Sequence, residues 1–181
     1  MLHMEQKDYN MEVLSVLIGG KSHIREIAKK LDTNPMMVSR RLKELLDKNA
    51  VDFKREGRNQ VYFIKDSPEA MAFVIMAEQY KLMKIIENPE IRKIVRELLK
   101  NKKIKLAILF GSYAKNLSHE RSDIDIYIET NDLKIKKEVE SINSRVSVKI
   151  GKFNKDNVLI KEIIDNHIII KGVERYYELK S

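Results

Sequence analysis

Cysteine and tryptophan are absent from the chain, and proline and glycine are scarce, with three and six residues among 181. Without cysteine there is no disulfide framework, no thiolate nucleophile and no cysteine-bound zinc. Long apolar runs are missing as well, since none approaches the ~20 residues that a membrane-spanning helix needs. The opening stretch MLHMEQKDYN carries acidic residues and no apolar segment, so it does not read as a secretory leader. These absences lead to the expectation of a cytoplasmic protein with no membrane partner. Acidic residues are in deficit, 27 against 35 lysines and arginines, and the resulting net charge of +8 favours polyanionic partners. A lysine-rich solvated surface would give the same total. What is present is a globular composition, 43% hydrophobic and 34% charged, in a chain long enough for one large core or two small ones.

The few prolines inform by position. Pro35, Pro68 and Pro89 each follow Asn or Ser. That pairs a capping oxygen with a residue whose missing N–H costs nothing in the first helical turn. Three helix starts are thereby marked. Upstream, MEVLSVLIGG predicts a helix closed by Gly19 and Gly20. Ser22 is expected to cap a second helix carrying Ile24, Ile27, Ala28 and Leu31 at helical spacing. A third helix is predicted from Pro35 to about Lys48, burying Val38, Leu42, Leu45 and Leu46. The segment VDFKREGRNQVYFI then predicts a β-hairpin around a polar, glycine-containing turn. Three helices with a tight turn before the third, followed by a hairpin, resemble a winged helix-turn-helix over residues 8–66.

All eight methionines precede residue 84, a composition shift that suggests two domains. The expected division is a winged helix-turn-helix domain over 1–66, a helical linker over 67–101 and an α/β (α+β) domain over 102–181. Within the linker, PEAMAFVIMAEQYKLMKIIE (68–87) is apolar on more than one face. It is either sandwiched between the domains or pairs with a second copy of itself in a homodimer. Beyond it the pattern switches to the strands IKLAILF, DIDIYIE and RVSVKI, interspersed with helices, which predicts a small mixed sheet flanked by helices.

In a helix-turn-helix the third helix enters the major groove and its N-terminal half faces the base edges. The exposed positions there are Asn34, Met36, Ser39, Arg40 and Lys43. Arginine can hold guanine with two hydrogen bonds, while Ser and Asn reach bases or phosphates. The hairpin tip carries Lys54, Arg55 and Arg58, suited to phosphates. Glu44, Asp47, Asp52 and Glu56 lie among these cations, as they would on an ordinary solvated face. Double-stranded DNA is the expected partner.

The stretch LFGSYAKNLSHERSDIDIYIE (109–129) carries the second candidate site. On a strand, residues two apart point to the same side. Asp123 and Asp125 therefore project together while Ile124, Ile126 and Ile128 face the core. Two neighbouring carboxylates are costly to hold without a cation between them, and Mg²⁺ prefers oxygen ligands. Gly111 lets the backbone approach a phosphate, Ser112 and successive N–H groups can donate to it, and Lys115 can offset its charge. Together they would place a nucleoside triphosphate between N–H donors and a metal ion.

The Gly-Ser … Asp-x-Asp arrangement resembles the signature of the DNA polymerase beta-like nucleotidyltransferase superfamily, especially its minimal members, over residues 88–172. The resemblance implies that Gly111 and Ser112 hold triphosphate and that Asp123 and Asp125 bind metal. It also implies a third carboxylate on the following strand, and alignment puts Ser147 there, between Arg145 and Lys149 on the same face. Serine is a poor metal ligand and no base near neutral pH. The expectation is a DNA-binding regulator whose second domain binds Mg-NTP with weakened transfer. The alternatives are an active transferase, for instance one adenylylating a protein hydroxyl as antitoxin-like members do, and an interaction protein that keeps only the shape of both domains.

Overall fold

The computed structural model describes residues 7–119 and 121–181. Residues 1–6, which hold most of the N-terminal stretch considered above, and Glu120 lie outside the described residues. The chain forms two compact units, Met1–Tyr80 and Lys81–Ser181.

The first unit contains α1 (Tyr9–Ile18), β1 (Ser22–His23), α2 (Ile24–Lys30), α3 (Pro35–Asp47), β2 (Val51–Glu56) and β3 (Asn59–Ile64), and α4 (Pro68–Ile85) begins in it. Val13, Leu14 and Leu17 of α1, Ile27 of α2, and Val38, Leu42 and Leu45 of α3 form its core. The apolar spacing on each helix is thus used to pack the three against one another; Leu46 is only partly buried. All three proline-marked starts carry the expected cap. Asn34 accepts from the Met37 N–H at 2.8 Å, Ser67 from Ala70 at 3.1 Å, and Asn88 from Glu90 at 2.9 Å. The hairpin turns at Gly57–Arg58, with left-handed backbone at Gly57 (φ +62°), as a tight primed turn requires.

Ser22 does not cap α2. His23 occupies that position without a side-chain bond, and Ser22 pairs with Tyr62 as a third strand, giving the antiparallel order β1-β3-β2. The Ser22 hydroxyl donates to Glu26 Oε2 at 2.7 Å instead. Three helices closed by a three-stranded sheet with a protruding hairpin form a winged helix-turn-helix.

The sequence suggested a separate linker over 67–101, yet the division falls after Tyr80. The reason is burial. Ala77, with Phe73 and Tyr80 beside it, packs into the first core, whereas Ile91, Ile94, Val95 and Leu98 of α5 (Pro89–Lys100) pack into the second. On α4, Met76 and Met83 remain 53% and 61% exposed.

The second unit continues with β4 (Ala107–Phe110), α6 (Gly111–Ala114), β5 (Ile124–Glu129), α7 (Leu133–Glu140), β6 (Val146–Gly151), α8 (Val158–Asp165), β7 (Ile168–Lys171) and α9 (Val173–Lys180). Its sheet has the order β6-β5-β4-β7. β5 and β6 are parallel, joined across α7, and the other pairs are antiparallel, so the sheet is mixed. Ile124, Ile126 and Ile128, with Val146, Val148 and Leu109, meet α5 and α7 on one face. On the other face Tyr127 stacks edge-on with Phe153, which stacks in turn with Tyr176 of α9. Helices thus cover both sides, and the overall class is α/β (α+β). Among the described residues, no helix is long and apolar enough to cross a membrane.

Candidate functional site

Phe110, the last residue of β4, pairs in register with Asp125 of β5. The chain turns at once at Gly111, whose φ of +70° is left-handed. A Cβ at this position would stand 2.5 Å from Asp125 Oδ2. Only glycine satisfies both the backbone and that close approach. The Gly-Ser turn and the Asp-x-Asp segment, fourteen positions apart at Gly111 and Asp125, therefore touch. Asp123 sits just before β5 and is exposed, and Asp125 is half-buried.

The approach to Asp123 is braced. Ser122 is buried, and its hydroxyl oxygen accepts from the His119 N–H at 2.9 Å. Its carbonyl lies 3.4 Å from the Arg145 guanidinium, which forms an ion pair with Glu90 of α5. Arg145, expected as a cation beside Ser147, is thus committed to holding this loop.

Burial pushes the Asp125 carboxyl above its ordinary range, and the like charge of Asp123 adds to the rise. Lys149 opposes it, Glu162 adds to it, and a hydrogen bond with Ser147 opposes it. Ser147 is the direct neighbour of Asp125 across the parallel β5–β6 pair. Tyr127, two residues along on the same side, is buried and donates from its hydroxyl to the Gly151 carbonyl at 2.9 Å. Glu129 is held by Arg175 through bonds of 2.8 and 3.0 Å. The side of β5 that carries the aspartates is therefore open only at its N-terminal end. Lys115 closes α6, and its Nζ lies 2.8 Å from Glu162 Oε1 on α8.

Two oxygen-donor carboxylates, one raised by the other's charge, suit a hard divalent ion such as Mg²⁺, which would relieve that repulsion. Among the described residues no group of three His, Cys, Asp or Glu is gathered closely enough to hold a metal ion. The donor set is a pair.

Residues 92–175 match the family model described as "Polymerase beta, Nucleotidyltransferase". A "Putative protein adenylyltransferase" of Methanocaldococcus jannaschii is 35% identical over 85 residues, covering 43% of this chain and 89% of that protein. The chain belongs to the polymerase beta nucleotidyltransferase family. Solved structures similar to this chain include a homodimeric winged helix-turn-helix DNA-binding domain from Mycobacterium bovis, described as a possible ArsR-family transcriptional regulator. It is 26% identical with a TM-score of 0.36, over 39% of this chain and 65% of that one. An antimony-specific transcriptional repressor is 26% identical with a TM-score of 0.38, over 47% and 72%. A toxin–antitoxin crystal structure with AMP-PNP is 24% identical with a TM-score of 0.36, over 50% and 77%.

The chain carries its second candidate surface on the winged unit. Asn34 uses its side-chain oxygen to cap α3. Ser39, Arg40 and Lys43 are exposed along the same helix, and Met36 is 82% exposed beside them. Lys54 is tied to Glu56 at 2.8 Å, a pair that Lys21 joins at 3.0 Å, so its charge is largely offset. Arg55 and Arg58 line a cleft of about 580 Å³ together with His23, Arg25 and Gln60. Among the described residues, Arg25, Arg55 and Arg58 have no ion-pair partner. Sequence reasoning missed Arg25. It is the second residue of α2, and only the pairing of β1 with the hairpin strand β3 brings it to the wing.

Proposed function

We propose that this protein is a DNA-binding regulator whose nucleotidyltransferase domain binds Mg-NTP and transfers nucleotidyl groups slowly. The observation that carries the reading is the contact between Gly111 and Asp125, which joins a phosphate-cradling turn to a carboxylate pair. Asp123 and Asp125 would hold the ion, and the ion would supply charge neutralisation for the triphosphate. Gly111 admits the phosphate chain to the backbone, Ser112 donates a hydroxyl, and Lys115 offsets negative charge. The acceptor hydroxyl needs a base to take its proton. Ser147 stands where the family resemblance implies a carboxylate, and loss of a base costs ~10²- to 10⁴-fold in rate.

In the winged unit, Ser39, Arg40 and Lys43 would face the major groove, with Asn34 at the helix start. Arg55, Arg58 and Arg25 would hold backbone phosphates. A two-fold DNA site would suit a homodimer paired through 68–87, where Met76 and Met83 leave an apolar stripe on α4.

Calorimetric titration with ATP and Mg²⁺ tests the nucleotide half. Binding is expected in the wild type and lost in Asp123→Asn and Asp125→Asn, and a wild type that binds no nucleotide refutes it. The second reading, an active protein adenylyltransferase, is favoured by the M. jannaschii relative. Incubation with labelled ATP and protein acceptors separates the two, because only the transferase leaves covalent label.

A further inference from the structure

The strand that follows the aspartate pair offers no acid: Ser147 lies opposite Asp125, and the next residue on that side is the exposed Lys149. Besides Asp123, the carboxylate whose charge acts on Asp125 belongs to a helix. Glu162 projects from α8, and its Oε1 lies 2.8 Å from the Nζ of Lys115, at the end of the turn that starts with Gly111. We propose that Glu162 is the third metal-binding carboxylate of this site, held in reserve by Lys115 until a triphosphate takes the lysine away, and that the base which Ser147 cannot supply stays missing. The inference rests on the Mg-NTP reading above.

Three features support it. The backbone beneath Glu162 is fixed, because Ile160 and Ile163 on the same helix are buried and Asn157 caps it through the Leu159 N–H at 2.8 Å. The side chain itself is free to swing. Glu162 and Lys115 are 43% and 36% exposed, and an ion pair so hydrated is held weakly. A triphosphate presents several negative charges to Lys115 where Glu162 presents one, so exchange runs toward the nucleotide. Glu162 already lies within electrostatic reach of Asp125. The latched arrangement also accounts for the lack of a three-acid cluster among the described residues. Nothing in the sequence marks Glu162 for this place. Thirty-seven positions separate it from Asp125, and only the packing of α8 beside β4 brings them to one site.

The test uses the full chain, Mn²⁺ as the ion and a non-hydrolysable ATP analogue. The wild type with analogue should bind two Mn²⁺ per chain, and Glu162→Gln should bind one. Without metal, Glu162→Gln should bind the analogue about 2- to 5-fold tighter, because Lys115 has lost its competitor. Lys115→Gln releases the carboxylate without nucleotide, so it should bind Mn²⁺ alone about 2- to 5-fold tighter than the wild type. Any one of these quantities staying at its wild-type value, or a wild type that binds one ion, overturns the proposal. Asp123→Asn keeps the two failures apart. If it still abolishes nucleotide binding while Glu162→Gln changes nothing, the Mg-NTP reading stands and the role of Glu162 falls.

Discussion

Replacing Gly111 with alanine tests the contact on which the proposed nucleotide site depends. Two costs arise. Alanine at φ +70° pays about 1–2 kcal/mol for left-handed backbone. Its Cβ would also lie 2.5 Å from Asp125 Oδ2 and 3.3 Å from Cγ, so the carboxylate must rotate away. Driving a side chain off its rotamer costs about 0.5–1.5 kcal/mol. The sum is about 2–3 kcal/mol. For a unit the size of Lys81–Ser181, each kcal/mol lowers Tm by about 4–8 °C. Calorimetric scans of the full chain should therefore show the transition of this unit falling by about 10–20 °C, with Mg-ATP binding lost because Asp125 is displaced. The second measurement is decisive. In an Asp125→Ala background the rotamer cost disappears, so Gly111→Ala should cost about 1 kcal/mol less there. Equal destabilisation in both backgrounds would refute the contact and with it the joining of turn and aspartates.

Three further outcomes follow from the same geometry. Because the Asp125 carboxyl is raised in the folded state, its contribution is most favourable at acidic pH and is lost as pH rises through its folded pKa. Asp125→Asn should therefore raise Tm at pH 7, with the gain shrinking as pH falls into the carboxylate range, and an unchanged or lowered Tm at pH 7 counts against the crowding. Ser147→Asp places a carboxylate opposite Asp125 and should raise nucleotidyl transfer, read as label incorporated per hour, by about 10²-fold; no gain would mean that Ser147 is not what limits the rate. Arg25→Ala, Arg55→Ala and Arg58→Ala should each weaken DNA binding at all sequences and reduce the slope of log K against log salt by about 1, measured by fluorescence anisotropy.

Much of the fold was legible in local chemistry. Each proline followed a capping residue, and Asn34, Ser67 and Asn88 cap as expected because the N–H groups they satisfy lie within three residues. Apolar spacing announced the helices and the alternating run of β5 for the same reason: side-chain direction repeats with the backbone. Asp123 was placed on the strand by that alternation and lies just before it, a difference of one residue at an element's end, where hydrogen bonding frays. Ser22 was misplaced because the strand it joins pairs with Tyr62, forty positions away. Tyr127 shares the aspartates' side, but its burial under Phe153 could not be read from alternation.

The sequence by itself determined the kind of chemistry: oxygen donors two residues apart, a glycine turn before them, a cationic winged unit and no thiol. These follow from residue identity and from interactions reaching a few positions along the chain. The tertiary structure decided which charges remain available. Arg145 is committed to Glu90, Lys54 to Glu56 and Glu129 to Arg175, while Arg25 joins the wing and Lys115 meets Glu162. The Glu90–Arg145, Glu129–Arg175 and Lys115–Glu162 pairs and the wing cleft join residues more than thirty positions apart. An ion pair depends on distance in space, and that is set only when helices and strands pack.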